Sequence, residues 1–313
     1  MRASQSPTPP GLGRAGKDTG VAGWQPRSLF CPAKVNLTLE ILGRYPNGYH
    51  RISSVMQTIS LSDILSISPA HEISFDCDQP SLGGPDNLVL RAASLIKETS
   101  GYAGGAHLTL EKRIPEAAGL GGGSSDAAAA LVGLNEAWDL RLPPEKLMEM
   151  ASVLGSDVPF FVLGGAAVAE GRGEQLTPLP ALGQLWLVLL HPPISLKEKT
   201  RTLYGALRPG NYTYGEHTAI VANALRARQE LTDEMLFNAF ELVVDSVFPA
   251  LWGYQSRLLG AGARATHLAG SGPTIFAIFR DREEGEQVWR GLSGLDAHLA
   301  CATDRATPPN KRT

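Results

Sequence analysis

E-K-R-I-P-E-A-A-G-L-G-G-G-S-S-D-A-A-A-A-L-V-G-L-N-E-A-W, residues 111–138, sets glycines around Leu120 and follows them with an alanine-rich run. Gly119, Gly121, Gly122 and Gly123 free the backbone to take positive φ and admit a ligand without a Cβ in the way. Ser124, Ser125 and Asp126 are residue types that satisfy free amides at a helix start, and the alanines behind them predict a helix. Such a sequence builds a ring of unpaired N–H groups at the positive end of a helix dipole, a seat for phosphate. A tight loop-to-helix connection without a ligand is the plainer use of the same residues. Spacing excludes two other phosphate loops. No Lys follows the glycines, as G-x-x-x-x-G-K-[ST] requires, and no acidic residue stands where a following strand would hold a ribose. What remains is a nucleotide-phosphate loop of the kind found in a small set of kinases.

The 313 residues, 43% of them hydrophobic, suffice for one large domain or two modest ones. A net charge of −3 and a pI near 6.2 give no global basic field to gather nucleic acid or an anionic membrane. No apolar run reaches the ~18–20 residues that span a bilayer. Cys31, Cys77 and Cys301 are an odd set without metal-like spacing, and read as reduced, structural thiols of a cytoplasmic protein. Residues 1–26 are rich in Pro, Gly, Ser and Gln and lack the apolar core of a signal peptide. They read as a disordered extension, and 302–313 as a tail.

Val35, Leu37, Leu39 and Ile41 alternate with Asn36, Thr38 and Glu40, the period of a half-buried strand. Pro46-Asn47-Gly48 marks a turn, and 52–67 is strand-rich. A helical stripe fills 86–100, alternation returns at 107–110, and 144–154 predicts a helix stopped by Gly155. Residues 162–170 read as a strand with a Gly-Gly interruption. Beyond them, 185–190 and 265–268 read as strands and 235–244 as a helix. Gly270-Ser271-Gly272-Pro273 turns into a strand at 274–279, and 285–292 reads as a helix. Strands and helices mix without a regular βαβα beat, which predicts an α+β fold of two associated halves.

Taken together, P-A-K-V-N-L-T-L at 32–39, G-R-Y-P-N-G-Y-H-R-I-S-S-V-M-Q-T-I at 43–59, the glycine loop, G-S-D-V-P-F-F at 155–161 and A-G-S-G-P-T-I-F-A-I-F at 269–279 resemble the GHMP kinase superfamily. The Gly-Tyr-His stretch resembles the branch of that superfamily that phosphorylates a cytidine diphosphate derivative of methylerythritol on its 2-hydroxyl, in the non-mevalonate supply of isoprenoid precursors. The likeness runs from about 28 to about 299. It implies an N-terminal ATP-binding half over 27–180 with the fold of ribosomal protein S5 domain 2, and a ferredoxin-like C-terminal half over 181–301. ATP as phosphoryl donor and Mg2+ follow from the same resemblance, Mg2+ because it neutralises the β- and γ-phosphates.

By resemblance, Asp157 accepts the hydroxyl proton and Lys34 stands beside it; read as residues alone, Asp157 serves equally as a helix N-cap and Lys34 as a surface charge. Asn36 falls on the face of Lys34 and is a candidate substrate contact. Pro115, Ala117, Ala118 and the loop from Gly119 through Leu120 to Ser125 would hold the phosphates, with Asn87, Leu88 and Lys112 lining the nucleotide pocket and Ser125 the candidate magnesium ligand. The bland reading of Lys112 is a solvated charge. Tyr49 and His50 match a cytosine-binding pair, stacking on a base face and reading its edge. Tyr204 resembles a second stacking aromatic with Thr200 nearby, or packs in the core. Asn238 and Glu241 match an N-x-x-E pattern and read as structural. Ala117-Ala118 replaces frequent glycines, which strains the loop if φ is positive there. A homoserine or mevalonate-type kinase, or a diphosphomevalonate decarboxylase, would keep the glycine loop without Tyr49-His50; a sensor would not need Lys34 and Asp157.

Overall fold

The computed structural model describes residues 23–304. The extension predicted for 1–26 lies mostly outside them, as does the tail beyond 304. Strands β1 (Arg27–Asn36), β2 (Thr38–Arg44), β3 (His50–Ala70) and β4 (Ser74–Cys77) lead into helix α1 (Leu88–Ser100), β5 (Gly105–Glu111), helices α2 (Gly122–Ala137), α3 (Pro144–Leu154) and α4 (Val158–Leu163), then β6 (Ala166–Gly171) and β7 (Gln175–Pro178). The second half runs β8 (Trp186–Leu190), α5 (Lys199–Ala206), α6 (Glu216–Arg226), β9 (Phe237–Asn238), α7 (Val244–Val247), α8 (Leu251–Gly260), β10 (His267–Leu268), β11 (Ile275–Phe279), α9 (Arg282–Gly291) and β12 (Ala297–Cys301).

The long strand β3 organises the first sheet. It pairs antiparallel with β1, β2, β5 and β6 along its 21 residues. The second sheet has the order β10-β11-β8-β12. Helices α1, α2 and α3 bury Val89, Ile96, Leu131, Leu134 and Leu147 against Leu65, Ile67 and Leu108 of the first sheet. Between the two halves lies a shared core, in which Ala33, Val35 and Ile59 meet Leu187, Leu189, Val221 and Phe276. The architecture is α+β, as the mixed order of elements predicts.

Several expectations are corrected. Residues 35–41 are buried throughout rather than on alternate faces, and divide at Leu37 between β1 and β2: the apolar residues pack into cores shared with the second half, while Thr38 and Glu40 bond Thr218 of α6. Val162 belongs to α4, which Pro159 starts and Gly164 ends; only 166–171 is strand. The helix expected over 235–244 is broken up. Phe237 and Asn238 pair parallel with Thr38 and Leu39, and the Asn238 side chain takes the Phe240 amide at 3.0 Å, competing with a helical bond. The tail begins as structure: Ala302 bridges Ile59, and the Thr303 amide donates to the Thr58 carbonyl at 2.9 Å. Among the described residues no helix is long and apolar enough to cross a membrane.

Candidate active site

The glycine loop runs from β5 into α2, but its capping differs from the expectation. α2 starts at Gly122, and its N-cap Gly121 supplies no side-chain bond. The first-turn amides are therefore left to a ligand instead of to Ser124, Ser125 and Asp126. Gly119 (φ 85°) could carry no side chain, since a Cβ would stand 2.0 Å from the Ala269 carbonyl oxygen. Gly270 (φ 55°) is equally constrained: its Cβ would meet the Gly119 oxygen at 2.8 Å and the Lys34 Nζ at 3.1 Å. Loop and turn thus pack backbone to backbone, around Lys34.

Lys34 ends a buried strand. Its amide donates to the Leu120 carbonyl at 2.9 Å, and its Nζ donates to Asn36 Oδ1 at 2.7 Å and lies 3.8 Å from Asp157 Oδ2. The Asn36 amide nitrogen is held in turn by Ser54 Oγ at 2.8 Å. Asp157 occupies the N-cap position of α4 yet makes no capping bond. Its carboxylate is a third exposed while Lys34 is buried, so the pair is reached from solvent through the acid.

Alongside the loop is a cavity of about 400 Å³ lined by Leu82, Leu88, Pro115, Ala117, Gly121 and Gly123, with Asn87, Ala118, Gly119, Gly122 and Ser124 also on its wall. Asn87 caps α1 through Val89 N at 2.8 Å and also binds the Leu82 carbonyl, so it shapes this wall with its polar atoms already engaged. Two expected ligand contacts are corrected, and so is the bland reading of Lys112. Leu120 is core, only 1% exposed, and holds the loop to β1 through its carbonyl. Ser125 is sealed under the loop with its hydroxyl unpartnered and does not line the cavity. Lys112 borders the cavity but is neither solvated nor free: its ammonium bridges Asp63 and Asp126. Burial opposes the charge on Lys112, and the two carboxylates more than restore it, holding its pKa above the ordinary range.

That buried triad was not foreseen. Asp63 is fully buried and also accepts the amides of Arg113 at 2.6 Å and Ile114 at 2.8 Å, pinning the entry to the loop. Nothing local marks Asp63, one polar residue in a serine-rich strand. Burial and the neighbouring Asp63 push Asp126 upward against the pull of Lys112, and its Oδ1 has no partner. Nor does any local pattern mark Lys199, at the start of α5. Its ammonium donates to the carbonyl oxygens of Ala117 and Gly272.

On the far side of Asp157, His50 and Tyr204 stack with ring centroids 4.5 Å apart, and Tyr204 packs edge-on against Phe240. Burial and the Asp157 carboxylate push the Tyr204 phenol up to about 12, and burial with Arg44 pushes His50 down. Tyr49 projects into solvent, 58% exposed, with the Arg172 guanidinium 5.4 Å from its ring. The Thr200 hydroxyl lies 3.1 Å from that of Ser271 in the glycine turn. Asn238 Nδ2 donates to the carbonyls of Leu268 and Gly270, and Glu241 accepts the Leu268 amide at 2.5 Å, so both hold the turn. Ala117 has φ 51°, the strained alternative.

A glycine loop at a helix N-terminus, facing a Lys–Asp pair across a second glycine turn, defines a phosphotransferase of the GHMP class. The chain matches the family descriptions "GHMP kinases N terminal domain" over 87–165 and "GHMP kinases C terminal" over 218–295, and it belongs to the GHMP kinases. Its fold is shared with a homoserine kinase from Cytophaga hutchinsonii at 16% identity, with a TM-score of 0.68 over 92% of this chain and 98% of that one. A 4-diphosphocytidyl-2-C-methyl-D-erythritol kinase of Dehalococcoides mccartyi is 44% identical over 275 residues, 87% of this chain and 96% of the relative. A crystal structure of a 4-(cytidine 5'-diphospho)-2C-methyl-D-erythritol kinase superposes with a TM-score of 0.77 at 33% identity, covering 88% of this chain and 99% of that one. Within the GHMP kinases, the chain belongs to the 4-diphosphocytidyl-2-C-methyl-D-erythritol kinase family.

Proposed function

We propose that this site transfers the γ-phosphoryl group of ATP to the 2-hydroxyl of 4-diphosphocytidyl-2-C-methyl-D-erythritol. The observation that carries the reading is the Asp157 carboxylate, unused as a helix cap and 3.8 Å from the buried Lys34 ammonium. The bond between Pγ and the β–γ bridging oxygen breaks, the substrate oxygen bonds to Pγ, the hydroxyl proton passes to Asp157, and ADP departs. Lys34 offsets the charge of the neighbouring Asp157 carboxylate, and the loop amides with the α2 dipole hold the phosphate oxygens in line. Leu82, Leu88 and Pro115 supply the apolar wall for adenine. When bound, Mg2+ would neutralise phosphate charge; Asp126, which lines the cavity where Ser125 does not, would be the residue to hold it.

Tyr49, His50 and Tyr204 form the cytosine end. At 4.5 Å, His50 and Tyr204 leave no room for a base between them, so the exposed Tyr49 ring offers the stacking face while the neutral His50 ring reads the base edge. The test is ADP release with ATP and magnesium, comparing the cytidine compound with homoserine and mevalonate. Turnover with the cytidine compound alone is expected. Equal or better turnover with either other alcohol would discard the cytosine pocket.

A further inference from the structure

The three buried or half-buried lysines around the glycine loop differ in their counter-charges. Lys112 has Asp63 and Asp126, and Lys34 has Asp157. Lys199 has no carboxylate within 4.0 Å among the described residues; its ammonium rests on the Ala117 and Gly272 carbonyls alone. An ammonium offers three donors, so one remains open. An uncompensated cation in a partly desolvated site is costly, and here Lys34 also repels it. The site is short of one negative charge at the point where loop, turn and Lys34 converge. The loop itself carries no lysine after its glycines, unlike a P-loop, whose lysine reaches the β- and γ-phosphates.

Resting on the kinase reading above, we propose that Lys199, from the opposite half of the molecule, takes the part of that absent loop lysine, its ammonium binding the γ-phosphoryl oxygens of ATP, which bring the missing negative charge, as the group is transferred. The ligand class is a nucleoside triphosphate, and the contact is specific to the third phosphate. In keeping with an unneutralised cation, burial and Lys34 lower the Lys199 pKa to about 8. The charged group that acts on it is Lys34 on β1.

The experiment compares Lys199→Met and Lys199→Arg with the unaltered chain, measuring ATP and ADP affinity calorimetrically, turnover, and melting temperature. The expectation for Lys199→Met is unchanged ADP affinity and ATP binding weakened about 10-fold or more, the scale of a lost charged hydrogen bond. Its turnover should fall on the order of 100-fold. Lys199→Arg should restore most of the ATP affinity and remove the loss of kcat/KM expected of the unaltered chain above about pH 8. Equal weakening of ATP and ADP with a lower melting temperature would reduce Lys199 to a strap between loop and turn and overturn the proposal. Unchanged turnover and ATP affinity would overturn it as well. If Lys199→Met does not fold, an alkaline limb that persists unaltered in Lys199→Arg overturns it. Absence of turnover in the unaltered chain would sink the kinase reading instead, while the ATP-against-ADP contrast would still decide the role of Lys199.

Discussion

At Asp157 a single side chain had two competing uses, and geometry separates them. An N-cap would accept an amide of α4; this carboxylate accepts none and faces Lys34. Replacing Asp157 with Asn should therefore leave ADP affinity and melting temperature near their original values while turnover falls by roughly 10²–10⁴, the usual worth of a positioned base. Unaltered turnover in a rapid-quench measurement would remove Asp157 from proton transfer. His50 yields a pH prediction. Its pKa is lowered by burial and by Arg44, so the ring stays neutral at pH 7 and protonates only below the ordinary His value. The KM for the cytidine substrate should stay flat as pH falls towards about 6.5 and rise below it. A rise beginning at pH 7.5 would contradict a neutral His50 at the base edge. Lys34 and Asn36 were legible from the period of one strand, since residues two apart share a face. Lys112 was not, because its fate depends on Asp63, 49 residues earlier in the chain.

The glycine loop is an element whose shape was readable and whose anchoring was not. Its glycines announced tight backbone turns, and φ values of 85° at Gly119 and 75° at Gly121 meet that expectation. What fixes it in space is distant: the Leu120 carbonyl on Lys34 N, Asp63 beneath Arg113 and Ile114, and the 269–273 turn across from it. Lys112→Met would leave Asp63 and Asp126 buried without their cation, a loss of about 3–5 kcal/mol, visible as a lowered urea midpoint. A midpoint within error of the original would show the triad to be dispensable. Ala117 sits at φ 51°, a conformation that costs a non-glycine residue about 1 kcal/mol. Ala117→Gly should recover part of that, less the extra chain entropy of glycine, giving a chain at least as stable in the same titration. A destabilised Ala117→Gly would show that the Ala117 methyl contributes packing.

On the scale of the whole molecule, the two halves share the core in which Val35 and Ile59 meet Leu189 and Phe276. Phe276→Ala, at a fully buried position, should cost about 3–5 kcal/mol and still give one cooperative transition by calorimetry and circular dichroism alike. Two separated transitions would show halves that unfold independently. By itself the sequence determined the motifs that local chemistry writes: the glycine loop before a helix, the Asn-Gly hairpin, the lysine-bearing strand, the mixed α+β order and, through resemblance, the kinase class. Those signals survive without the fold because turn conformations and helix and strand periods depend on residues a few positions apart. Only the tertiary structure decided that Lys34 meets Asp157, that Lys112 is locked beneath the loop, that 235–244 breaks to pair with β2, and that Lys199 reaches across from the second half. Each of these depends on contacts between residues far apart in the chain, from 49 residues for Lys112 and Asp63 and 73 for Lys199 and Gly272 upward, and such contacts are set by the packing of whole elements, which no local pattern encodes.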